Sequence, residues 1–307
     1  MKKLLYCLIF TSLMILLAVV PASAMNYHHA DIYTFEDLKS EIDALNEEGI
    51  TDTLIVFDIH KDITFTDTID IDCKDIEIDF KNCSDKDEVK FNIDGHLAFD
   101  INTYNPDVKL YFDDVTFYAR EENVLVSEMA VEVSKYSDGC LIDGAKFTNL
   151  TNYYSDGGCI YVNAENCTIQ NCTFNDCIAE YGGCIYINND IVNVNYCTFT
   201  KCGAREYGAG AYVASGCSGI KFDGCTFTKS YCMYNNVGIC VYGSGEDNVT
   251  IINCTSDNGW QSYYHCKEPN NLGSLLSTGN IWIITTIVAL ACIVIVFIKR
   301  KNKANAA

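Results

Sequence analysis

The chain repeats itself. Four segments can be laid over one another: Gly157-Gly158-Cys159-Ile160-Tyr161-Val162, Gly182-Gly183-Cys184-Ile185-Tyr186-Ile187, Gly208-Ala209-Gly210-Ala211-Tyr212-Val213 and the degraded Val237-Gly238-Ile239-Cys240-Val241-Tyr242. Each is followed by a triplet of Cys-Thr-Phe type, at Cys172-Thr173-Phe174, Cys197-Thr198-Phe199, Cys225-Thr226-Phe227 and Cys254-Thr255-Ser256. Weaker copies at Cys83-Ser84, Val115-Thr116-Phe117 and Ala145-Lys146-Phe147 extend the pattern towards the N-terminus, in steps of 25 to 32 residues. A unit that short cannot bury an apolar face alone, so its copies must stack into a solenoid.

Within each copy the apolar residues alternate, as in Ile76-x-Ile78-x-Phe80, Val108-x-Leu110-x-Phe112 and Ile220-x-Phe222. That is the period of a strand. Each short strand is expected to pair in parallel with its equivalent one coil on, which predicts a parallel β-helix of about seven or eight coils over residues 53–266. A β-propeller needs about 40 residues per unit, and the Leu and Asn framework of a leucine-rich repeat is absent. Residues 25–52 are expected to close one end. There Thr34 can cap a helix with Asp37 three residues on, and Phe35, Leu38, Ile42 and Leu45 form one apolar face before Gly49. Such a lid covers strand edges that would otherwise stay unpaired.

The ends predict export and anchoring. Lys2-Lys3, the apolar run Leu4 to Val20 and Ala22-Ser23-Ala24 make residues 1–24 a signal peptide. After a linker at 267–280, the uncharged run Ile281 to Ile298 is long enough to span a bilayer, and the basic cluster that starts the tail 299–307 places that tail in the cytoplasm. The signal takes two and the tail four of the 21 Lys and Arg, which leaves 15 against 41 acidic residues outside, a formal −26. A surface so acidic disfavours nucleic acid and polyanionic partners.

Aligned copies place residues in columns. One holds Cys83, Val115, Ala145, Cys172, Cys197, Cys225 and Cys254, another Phe117, Phe147, Phe174, Phe199 and Phe227, and both read as core. Further Cys columns run through Cys177, Cys202 and Cys232, and through Cys159 and Cys184 with Cys240 as a further candidate. Buried free thiols and disulfides both fit such ladders. Zinc is disfavoured, because no Cys-x-x-Cys pair occurs outside and a linear ladder is not a tetrahedral cluster. Asn82, Asp114, Gly144, Asn171, Gly224 and Asn253 precede the column residue and predict a corner of left-handed backbone, which makes Asp113-Asp114 a turn. The acidic positions Asp70, Asp72, Asp75, Glu77 and Asp79 read as an outward face, with a weakly held Ca²⁺ as the sharper alternative, and otherwise no cofactor is expected. His28-His29 reads as a disordered arm. Among the sequons, Asn149 and Asn248 are the better glycan sites. Tyr153-Tyr154, Tyr207 and above all Trp260, Tyr263 and Tyr264 are the candidate aromatics for stacking on sugars or anchoring a protein.

The Gly-Gly-Cys-Ile-Tyr and Cys-Thr-Phe units over about residues 50 to 260 resemble the GGA(I/L/V) and FxxN repeats of polymorphic outer-membrane-protein-like and adhesin-like surface proteins, particularly those of methanogenic archaea. Cys159, Cys184, Cys177 and Cys202 stand where those repeats carry Ala or Asn. The single C-terminal anchor also departs from an outer-membrane barrel. The resemblance implies a right-handed parallel β-helix of pectin-lyase-like type at the cell surface, and it supplies no ligand.

Three functions follow as expectations: adhesion or binding to glycans or proteins, a structural envelope role without a ligand, and polysaccharide lyase or glycosidase activity. A lyase needs a basic residue beside the uronate, and the only arginines outside are Arg120 and Arg205. Binding is therefore the expected role, and no catalytic residue is assigned.

Overall fold

The computed structural model describes residues 26–267, apart from 94, 103–106, 120–128, 234–240, 244–248 and 258–265. They form a parallel β-helix of about seven turns with one short helix. The strands align in four sheets of ten, seven, eight and four strands. Every strand pairs in parallel with its equivalent in the adjacent coil, as Ile160–Val162 does with Ile185–Ile187 and Thr173–Asn175 with Thr198–Thr200.

The coil turns where the backbone is left-handed. One corner holds Asp114, Gly144, Asn171, Tyr196, Gly224 and Asn253, with φ between 52° and 77°. Asn82, expected there, instead ends the strand Ile76–Asn82, and Tyr196 takes the position despite its bulk. The next corner holds Asn149, Asp176, Lys201 and Lys229, with φ of 55° to 59°. The short spacing between these two corners limits the intervening strands to about three residues. Small polar side chains tolerate this conformation because they hydrogen-bond locally. Ile191, with φ 57°, has no such compensation.

The core is a set of columns. Phe117, Phe147, Phe174, Phe199 and Phe227 are fully buried and stack face to face, with centroids 4.4 to 5.1 Å apart. Cys172, Cys197 and Cys225 form the expected buried column, each with its Sγ directed at the carbonyl two residues before it. Cys83 does not belong to it. Its thiol is exposed, and Val89 takes the column position by pairing with Val115, with Phe91 opposite Phe117. The intervening residues 83–88 form a loop, which displaced the apparent repeat by one element.

The lid forms as expected. Helix Phe35–Glu48 starts at a capping box between Thr34 and Asp37, ends at left-handed Gly49 and buries Phe35, Leu38, Ile42 and Leu45. His28-His29 is not an arm. It lies in strand Asn26–Ile32, which pairs in parallel with Thr53–Ile59 and begins the ten-stranded sheet. The unpaired edge of the first coil captured a segment whose own sequence carries little strand signal. Among the described residues no helix is long and apolar enough to cross a membrane. The run Ile281 to Ile298 and residues 1–24 lie outside the described residues.

Candidate functional site

The seven-stranded sheet carries the most unusual surface. Its strands are three residues long, and the two outer positions point into the core. The middle position therefore faces out in every coil. Register makes those middle residues a single row: Asp70, Asp100, Glu132, Tyr161, Tyr186 and Tyr212. A file of three carboxylates continues into a file of tyrosines.

The Gly-Gly pair in front of the tyrosine strand has a steric reason. Gly182 is left-handed at φ 62°, and a Cβ on Gly183 would overlap the carbonyl oxygens of Gly203 and Ala209 in the next coil. Such close backbone approach aims the following strand and holds its tyrosine outward. The Tyr161 and Tyr186 rings stack at 5.2 Å, and those of Tyr186 and Tyr212 at 5.1 Å. Tyr181 abuts Tyr212 edge-on at 5.1 Å and lies 6.3 Å from Tyr207, so the aromatic surface continues onto the four-stranded sheet.

Where the two files meet, a groove of about 530 Å³ opens between Glu132, Tyr154, Asp156, Tyr161, Asn163 and Glu180. Its polar groups are held in place. The Tyr186 hydroxyl donates to Asp156, and the Asn188 amide donates to the Tyr161 hydroxyl at 3.1 Å. Arg205 lies over the Tyr154 ring, 5.5 Å from its centroid, and donates to the Tyr153 carbonyl at 2.8 Å.

Three carboxyl groups here are pushed above the ordinary carboxylate range. Burial raises Asp156, with the Glu180 charge adding to it. Burial and the Asp100 charge raise Glu132. Asp100 is raised by burial and by Asp70, against the opposing hydrogen bond from Ser134. A carboxyl whose pKa is higher in the folded than in the unfolded chain binds more protons when folded. It therefore costs stability above its folded pKa, and that cost disappears as pH falls towards the unfolded value. We expect the destabilisation by these carboxyls to lessen as pH falls from neutral towards their ordinary values of 3.8 and 4.5, and an Asp100→Asn/Glu132→Gln variant to gain stability at neutral pH and flatten the profile. Thermal melts across that range check both.

A second concentration of chemistry is internal. Cys159, Cys177 and Cys184 are fully buried, with sulfurs within 4.8 Å of one another. The Cys columns are thus not isolated lines: two of them abut, so their rungs cluster. Burial pushes Cys159 and Cys184 well above the ordinary thiol range. Fourteen cysteines between Cys73 and Cys254 are free thiols, twelve of them buried.

The fold and a family model agree. A model of the right-handed β-helix region matches residues 100–260. The chain belongs to the right-handed β-helix family. No curated protein and no solved structure matches it.

In this β-helix protein the aromatics singled out from sequence fare differently. Tyr154 lines the groove with Tyr153 next to it in the chain, and Tyr207 lies against Tyr181 on the four-stranded sheet, whereas Trp260, Tyr263 and Tyr264 lie outside the described residues, as does Asn248. Asn149 is half-buried and left-handed at φ 59°, a corner residue like those of the neighbouring sequons. The acidic stretch is partly neutralised, Glu77 by Lys109 at 2.7 Å and Asp79 by Lys81 at 3.1 Å. Asp114 forms the expected turn and pairs with Lys146 at 2.7 Å. Sequence reasoning missed the outward row. The recurrence of Tyr161, Tyr186 and Tyr212 was a usable signal for half of it, while Asp70, Asp100 and Glu132 sit in coils without the glycine motif.

Proposed function

We propose that this β-helix is an exported, membrane-anchored surface protein that binds a neutral or cationic glycan along its tyrosine and carboxylate face. The observation that carries the reading is the outward row in which three carboxylates run into stacked tyrosines beside an open groove. Tyrosine offers an apolar ring and a polar hydroxyl, the combination that suits a sugar's two kinds of surface. Carboxylates and the Asn163 and Asn188 amides supply hydrogen-bond partners for sugar hydroxyls. The overall charge of −20 turns away polyanions.

The signal peptide, the anchor and the resemblance to adhesin-like repeats support the surface role. A hydrolytic reading draws on the same raised carboxyl groups, since a general acid needs an elevated pKa. The test is a glycan array probed with the full chain in mild detergent, beside a Tyr161→Ala/Tyr186→Ala variant of matched melting behaviour. We expect binding that the variant weakens about tenfold or more, the equivalent of about 1.4 kcal/mol. Equal binding by both chains removes the face from the reading. No binding at all favours a purely structural role, and release of reducing sugar replaces binding with hydrolysis.

A further inference from the structure

At the end of the rod covered by the helix, two histidines and two aspartates share one outward patch. Asp31 and Asp58 stand opposite each other in register on parallel strands. His29 precedes Asp31 by two residues and His60 follows Asp58 by two, so all four leave the same face of the pleat. His60 is held in line because its N–H donates to the Ile32 carbonyl at 2.9 Å. His29 Nε2 lies 2.9 Å from Asp58 Oδ2, and His60 Nε2 lies 2.8 Å from Asp31 Oδ1. Each histidine thus crosses to the carboxylate of the other strand, and the two pairs interlock around the opposed carboxylates.

We propose that His29, Asp31, Asp58 and His60 form a binding site for a divalent transition-metal ion of the zinc class. Ligand atoms of His29, Asp31 and Asp58 already lie within 4.8 Å of one another. An ion equidistant from three such atoms would be at most about 2.8 Å from each, and sub-ångström side-chain movements close that to the roughly 2.0–2.2 Å of zinc–imidazole and zinc–carboxylate bonds. His60 supplies the fourth ligand. The donor set is two imidazole nitrogens and two carboxylate oxygens, which suits zinc and its neighbours, whereas calcium and magnesium take oxygen alone.

Charge and packing favour the ion as well. Two carboxylates directly opposite on adjacent strands repel each other, and a dication between them reverses that term. The Tyr33 ring stacks on His60 at 4.6 Å and 10°, which fixes the imidazole orientation before binding. All four side chains keep solvent access, at 38% for His29, 58% for Asp31, 24% for Asp58 and 26% for His60, so an ion can enter without unfolding. The ion would bridge the first two strands of the ten-stranded sheet and clamp the lid end of the solenoid.

The test is calorimetric titration of Zn²⁺ into the full chain after chelator treatment and dialysis, with thermal melts alongside. We expect one tight site, a rise in melting temperature on saturation, and loss of that site in His29→Ala/His60→Ala. Asp31→Asn/Asp58→Asn, which keeps side-chain shape, is expected to lose it too, and melts without metal show that each variant folds. A tight site retained in both variants would overturn the proposal by placing the ion on the thiols. Absence of tight binding to the parent chain would overturn it outright.

Discussion

A Gly183→Ala chain is expected to lose about 4 kcal/mol or more of stability, read as a shift in its denaturant midpoint. The methyl group would overlap the carbonyl oxygens of Gly203 and Ala209. Both belong to the backbone of the next coil, so no flexible side chain can yield, and relief requires the coils to separate. Hydrogen bonds stand in the way of that separation: Gly183 N–H donates to Gly208 O at 2.9 Å and Cys184 N–H to Gly210 O at 3.2 Å. Gly216→Ala is the matched control. Gly216 is left-handed at φ 92° but has open space around it, so its cost is the conformational one of about 1 kcal/mol. Equal losses in the two variants would mean that the coils approach less closely at Gly183 than described. The same displacement would move Tyr186, three residues on, so glycan binding is expected to fall with stability.

Phe199→Ala is expected to cost about 3 to 5 kcal/mol, a large share of the roughly 5 to 15 kcal/mol that a folded domain has in total. Phe199 is fully buried and stacks on Phe174 at 4.7 Å and on Phe227 at 4.4 Å. Removing its ring leaves a cavity in the middle of the column. Each coil of a solenoid contacts only its neighbours, so a cavity between coils weakens their coupling as well as the sum of their stabilities. We therefore expect the unfolding curve to broaden or split, with the coils around Phe227 exchanging amide hydrogens before those around Phe147. A single sharp transition shifted by less than about 1 kcal/mol would show that the surrounding side chains collapse into the space.

How far these features were legible in the sequence depended on whether they repeat. The Phe column and the corner residues recur at a fixed place in copy after copy, so alignment alone found them. Asp114, Gly144, Asn171, Gly224 and Asn253 are left-handed as expected. The helix was legible for a different reason: Thr34, Asp37 and Gly49 are local stop and start signals that need no tertiary context. Cys83 shows the limit. It has the right residue type and a plausible spacing, yet an inserted loop puts Val89 in its place, and only strand pairing distinguishes the two.

The functional surfaces were harder to read. The face proposed to bind glycans depends on Asp100 and Glu132 sharing a row with Tyr161, residues separated by 61 and 29 positions along the chain. The proposed metal site depends on His29 meeting Asp58 and on His60 meeting Asp31, each 29 positions away. Neither set forms a motif, because one or two turns of the solenoid separate its members and the turns differ in length.

The sequence by itself determined the stacking of parallel coils, the inward columns and the capped end, because periodicity, turn chemistry and apolar alternation act locally and recur in each copy. The tertiary structure alone decided the strand at His28-His29, the meeting of two Cys columns around Cys159, Cys177 and Cys184, and the outward row from Asp70 to Tyr212. Each of these follows from the register between neighbouring coils. Register is set by the cooperative packing of the whole core, and loop lengths that vary from coil to coil conceal it from the linear chain.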